Sequence, residues 1–172
     1  MLSYDPTIIP RIPSLDTANK SVNENANFPE FLTAFQALIT NAGLQDSLGV
    51  TLVHRHANVP DGSRLMDFKQ TLQSFPLDAD AKDLYGHPIR WKSAALDGGN
   101  WKPYEYELGD EAVEDMDPKF LIDAKDLLER YGLKNLGLRR YSPKDPEELE
   151  ITEKLGISVK IPWDSVSCPF PK

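Results

Sequence analysis

Two stripes of apolar residues recur at helical spacing. Phe31, Phe35, Leu38, Ile39 and Ala42 form the first, with Pro29 suited to an opening turn and Gly43 to a stop. They predict a helix over 29–42. Leu121, Ala124, Leu128 and Tyr131 form the second and predict a helix over 118–131. Asp117 is its expected cap, Pro118 its first residue and Gly132 its end.

Elsewhere the apolar positions alternate, as in strands. Val50-Thr51-Leu52-Val53-His54-Arg55-His56 reads as one strand. Val59-Pro60-Asp61-Gly62-Ser63 has the residues of a type I turn followed by a glycine at positive φ. It predicts a hairpin in which Arg55 pairs with Asp67 on the outer face. Val50, Leu52, His54, His56, Met66 and Phe68 then face inward. Alternation also predicts strands over 88–95, 102–108 and 136–141, with Asp97-Gly98-Gly99-Asn100 as a loop.

Asp145-Pro146-Glu147-Glu148 has helix-start chemistry, but Leu149 and Ile151, then Ile157, Val159 and Ile161, alternate. A closing hairpin with its turn near Lys154-Leu155-Gly156 is the preferred reading. Residues 1–27 read as a flexible Pro/Asn-rich arm, although Ile8, Ile9 and Ile12 can dock on the domain. Residues 28–164 read as one domain and 165–172 as a tail. The fold class is α+β, a mainly antiparallel sheet of about six strands with two helices packed on one face.

Composition narrows the function. With 19 basic and 27 acidic residues the net charge is −8. Such a chain lacks the basic stripe that nucleic acid requires and is not drawn to anionic membranes. No apolar run reaches the roughly 20 residues of a membrane span. The opening residues do not read as a signal peptide, and the single cysteine, Cys168, fits a reducing cytosol. A cytoplasmic protein is the expectation.

His54-Arg55-His56 is the main carrier of possible chemistry, with two of three histidines one residue apart. On a strand both imidazoles share a face. They can move a proton, with a desolvated histidine as general base, or ligate a metal with His87 as third histidine. Phe68, Trp91, Tyr104 and Tyr106 are candidate walls of an aromatic ligand site. These residues suit a domain that binds a small apolar metabolite, or a non-redox isomerase, dehydratase or cyclase using His54 and His56. The alternatives are a non-catalytic interaction or structural domain, with a protein as partner, and a metal-binding protein. Whether the chain is an enzyme, and with what cofactor, is open at this stage. Arg139-Arg140-Tyr141 can face an anion, but adjacent strand residues point oppositely, so at most one arginine serves an interior site. The acidic run Asp110–Asp117 lacks the order of an EF-hand loop. Phosphate loops, dinucleotide fingerprints, nucleophile elbows and Cys-x-x-Cys or His-Glu-x-x-His motifs are missing from the sequence.

The run Leu48–His56, with Leu136-Gly137-Leu138-Arg139-Arg140-Tyr141 and the closing hairpin, resembles small filamentous-fungal proteins with a Leu-x-His-Arg/Lys-His core. Ala57 stands where that group has Phe. The resemblance covers residues 28–164. It implies a eukaryotic, cytosolic protein, and it carries over no activity and no catalytic residue.

Overall fold

A computed structural model describes residues 6–56, 63–68, 71–76, 86–93, 101–108, 116–141, 148–152 and 158–162. The first predicted stripe forms α2 (Phe28–Asn41), with Phe31 and Phe35 buried. The second forms α3 (Pro118–Arg130), with Phe120, Ala124 and Leu128 buried. The Asp117 side chain accepts from the Lys119 amide at 2.9 Å and caps α3. Gly43 and Gly132 both have φ of 69°, the left-handed conformation that ends a helix with least strain in glycine.

An eight-stranded sheet carries the fold. Its strands are β1 (Leu48–Leu52), β2 (Ser63–Phe68), β3 (Thr71–Pro76) and β4 (Gly86–Ser93). They continue as β5 (Trp101–Leu108), β6 (Leu136–Arg140), β7 (Glu148–Thr152) and β8 (Ser158–Pro162). The order is β1-β6-β4-β5-β2-β3-β8-β7, antiparallel except for the parallel β2–β5 pair. The α+β class and the mainly antiparallel sheet match expectation, and β7 and β8 pair antiparallel as the predicted closing hairpin requires, its turn near 154–156 lying outside the described residues. The strand and helix counts do not. β3 adds a strand to the count, and α1 (Leu15–Asn23) adds a helix.

α1 replaces part of the expected flexible arm. Ser14 caps it by accepting from the Thr17 amide, and its buried positions are only Ala18 and Val22, one turn apart. So narrow a stripe, among asparagines on the exposed side, is invisible to periodicity. Before it, a 3-10 helix (Pro6–Arg11) buries Ile8 and Ile9, and Ile12 follows them into the core.

The predicted β1–β2 hairpin is overturned. β1 is an edge strand paired with β6, and β2 lies between β5 and β3. Asp67 registers with Leu72 and Glu107, so the Arg55–Asp67 cross-strand pair is not made. Turn residues 59–62 lie outside the described residues. The turn chemistry was local, whereas each strand's partner was set by which sheet faces had to be covered.

Both faces of the central strands are buried, by different elements. The helices lie on one face. There Val22, Phe31, Phe35, Phe120, Ala124 and Leu128 pack on Leu48, Trp91, Trp101, Leu136 and Leu138. On the other face Ile8, Ile9 and Ile12 pack on Val53 and Tyr104. Two side-chain bonds anchor the helical layer. Trp101 Nε1 donates to the Leu121 carbonyl at 2.8 Å, and Asn25 Nδ2 donates to the Tyr131 carbonyl at 2.9 Å.

Candidate functional site

β1 ends at Leu52, two residues before the first histidine. The Val53 amide donates to the Asn135 carbonyl at 2.8 Å, and the Arg55 amide then donates to the Pro13 carbonyl, also at 2.8 Å. The chain thus passes from the sheet to the N-terminal segment within three residues. Strict alternation from Val50 and Leu52 would have placed His54 and His56 under the helices. The irregular segment instead carries them to the face covered by the 3-10 helix, which corrects the predicted placement.

There His56 meets two residues of the central strands. His56 Nε2 lies 2.7 Å from Glu105 Oε1, and both side chains are fully shut off from solvent. Arg90 Nε lies 3.2 Å from Glu105 Oε2, and Arg90 Nη1 donates to Glu105 Oε1 at 3.4 Å. The cation and the carboxylate cancel, which is how a buried ion is tolerated. Arg90 Nη1 also lies 3.0 Å from His56 Nε2. A carboxylate oxygen can only accept and a guanidinium can only donate, so Nε2 carries a proton when it bonds Glu105 and is bare when it bonds Arg90; the shorter contact, to Glu105, favours the protonated form. That contact sets the orientation of the ring.

His54 lies against His56 with ring centroids 4.1 Å apart and planes tilted by 54°. Its Nδ1 is 3.1 Å from the Leu52 carbonyl, an acceptor, so Nδ1 carries the proton there. The pair therefore presents two imidazoles side by side.

The register of β4 makes this site. Arg90 is opposite Glu105 on β5 and Arg139 on β6, and the β4–β5 register shifts on both sides of it. Next to it, Trp91 is opposite Leu138 in the helix-side core. Gly137 lets β4 and β6 meet here: a Cβ on it would stand 2.2 Å from the Trp91 carbonyl oxygen and 2.8 Å from Val53 Cγ2.

The other predicted site residues divide between environments. Tyr104 is buried beside Val53 and the isoleucines, whereas Trp91 belongs to the helix-side core, so these two do not line one site. Tyr106 is buried, with the Arg64 guanidinium 5.4 Å from its ring centre. Phe68 lies in β2, and its side chain is outside the described residues. His87 lies 3.5 Å from Glu107 at the far end of β4. Among the described residues, no three His, Cys, Asp or Glu side chains converge as a metal site.

Arg90 and Glu105 are the site residues that sequence reading missed. They alternate with Ile89, Trp91, Tyr104 and Tyr106 and so looked solvent-facing. Their opposite charges on neighbouring strands were the available signal, together with three isoleucines near the N-terminus that needed a second face to cover.

No family model, curated protein or solved structure matches the chain. Among the described residues, no helix is long and apolar enough to cross a membrane.

Proposed function

We propose that this chain is a small cytosolic domain that binds a small apolar molecule at the His54–His56 pair, beside Val53 and Tyr104. The observation that carries this reading is the 2.7 Å His56–Glu105 contact braced by Arg90. A carboxylate on a ring nitrogen fixes the orientation of an imidazole, as carboxylates behind catalytic and metal-bound histidines do. His54, in contact with that ring, is the second proton carrier. Val53 and Tyr104 offer the apolar wall, and the 3-10 helix is the element that moves to admit the molecule. The reaction class that fits is proton transfer without redox change, as in an isomerase, dehydratase or cyclase.

A second reading is favoured by the same burial. A fully enclosed His56–Glu105–Arg90 cluster is also what a structural polar core requires, in a domain that only contacts other proteins. The test is to titrate histidine-labelled protein with a panel of apolar compounds (straight-chain alcohols, monoterpenes and substituted benzenes), following the imidazole resonances. Ligand binding predicts saturable shifts at His54 and His56 that His54→Phe removes. Unmoved resonances across the panel reject it and leave the structural reading.

A further inference from the structure

We infer that Arg139 is an anion-recognition residue on the histidine face, and that the molecule bound there is an amphipathic carboxylate. The inference rests on the ligand-binding reading and adds the chemical class of the ligand.

Directly opposed strand residues share a face. Arg139 on β6 registers with Arg90 on β4 and with Gly49 on β1. One pair further along, Lys92 registers with Lys102 and with Gly137. Two like-charged cross-strand pairs therefore sit side by side in a chain of net charge −8. Arg90 is neutralised by Glu105, so Arg139 is the cation of its pair left to meet an anion. Glu105 is already engaged by Arg90 and His56. Arg139 Nε is buried, with no hydrogen-bond acceptor among the described residues.

The geometry around Arg139 suits a planar anion. Its guanidinium carbon stands 5.1 Å from the Tyr141 ring centre. Tyr141 can lie there because Gly49 has no side chain: a Cβ on Gly49 would come within 2.6 Å of the ring. The Tyr141 hydroxyl reaches the Val50 carbonyl at 3.5 Å. Arg139 is thus braced against an aromatic ring, leaving its fork for a two-point contact with a carboxylate. Arg139 is half-buried, so a ligand can reach it while its charge is partly shielded from water. Val53 lies over Gly137, where the cationic row gives way to the apolar cluster of Tyr104 and the isoleucines. A carboxylate head at Arg139 with an apolar body over Val53 satisfies both halves.

The test is calorimetric titration of the full chain with sodium octanoate, 1-octanol and inorganic phosphate. Octanoate should bind more tightly than octanol. Arg139→Gln should weaken octanoate by about tenfold or more, the scale of one charge-assisted contact, and leave octanol unchanged. Arg139→Lys should fall between, because it keeps charge without the planar fork, and Tyr141→Ala should weaken octanoate without altering the fold. Octanoate binding unaffected by Arg139→Gln overturns the anion role and leaves the apolar-ligand reading intact. Phosphate binding without octanoate binding overturns the amphipathic ligand. Octanol binding without octanoate binding overturns the inference alone, and failure of all three probes overturns it together with the reading on which it rests.

Discussion

His56 Nε2 lies 2.7 Å from Glu105 Oε1 in a setting where neither side chain touches solvent. The carboxylate therefore depends on Arg90 and His56 for what water would otherwise supply. Glu105→Leu should cost about 3–5 kcal/mol, because it strands the Arg90 charge in the interior. Urea denaturation measures this directly. Arg90→Met in the same chain should recover most of the loss, since no buried charge then remains. A double variant as unstable as Glu105→Leu alone would show that the pair acts through packing and not through charge.

The two histidines should hold opposite tautomers at a pH where both are neutral. His54 Nδ1 faces the Leu52 carbonyl, an acceptor, and the shorter of the two His56 Nε2 contacts is to Glu105, also an acceptor. Two-bond nitrogen–proton correlation spectra distinguish the forms. Matching patterns for the two rings contradict the assignment, and Glu105→Gln should perturb the His56 pattern more than that of His54.

The N-terminal 3-10 helix should open separately from the sheet. It is held by Ile8, Ile9 and Ile12 and by a bond from the Arg55 amide to Pro13. Ile8→Ser should speed hydrogen exchange at Arg55 and leave Val53, bonded to Asn135 within the sheet, protected. The global cost should stay below the roughly 2–5 kcal/mol of a core Ile→Ala change, because local detachment limits it. Equal acceleration at both amides would mean that the segment and the sheet unfold together.

Between the two sheet glycines Gly49 and Gly137, Gly137→Ala should be the more damaging change. Its Cβ would stand 2.2 Å from a backbone oxygen, which can yield only if β4 and β6 separate. Overpacking of this kind costs about 1–3 kcal/mol, or a few degrees in Tm for a chain of this size. Gly49→Ala meets only the Tyr141 ring, which can swing away, so its effect on Tm should be smaller.

One pH effect has a definite sign. A hydrogen bond to Asp123, and then its charge, raise the Lys119 pKa above 10.5. A raised pKa contributes stability fully below the unfolded value and loses it as pH rises through the folded one. At neutral pH, Asp123→Asn should therefore lower the Lys119 pKa while leaving the fold in place, since Lys119 is exposed. Nitrogen-detected titration of the lysine ammonium reads this, and an unchanged value would mean that the pair is not populated in solution.

The helices were legible because their causes are local. Phe31 and Phe35 on one stripe, Asp117 before Pro118, and Gly43 and Gly132 at the two ends each act within a turn or two. The β4, β5 and β6 strands and the closing hairpin were legible for the same reason, as alternation within one segment. His54 and His56 stood out by type and spacing, and they do lie together.

Tertiary structure decided the rest. Val59–Ser63 carries convincing turn chemistry, yet β1 and β2 lie four places apart in the sheet, because strand pairing answers to the covering of faces and not to the turn alone. Arg90 and Glu105 looked like solvent-side residues until Ile8, Ile9 and Ile12 covered that side. By itself the sequence determined the helices, most of the strands and the histidine pair, all products of near-neighbour geometry. Which face those histidines occupy, and the buried ion pair that holds one of them, follow from contacts between segments distant in the chain, which no local pattern encodes.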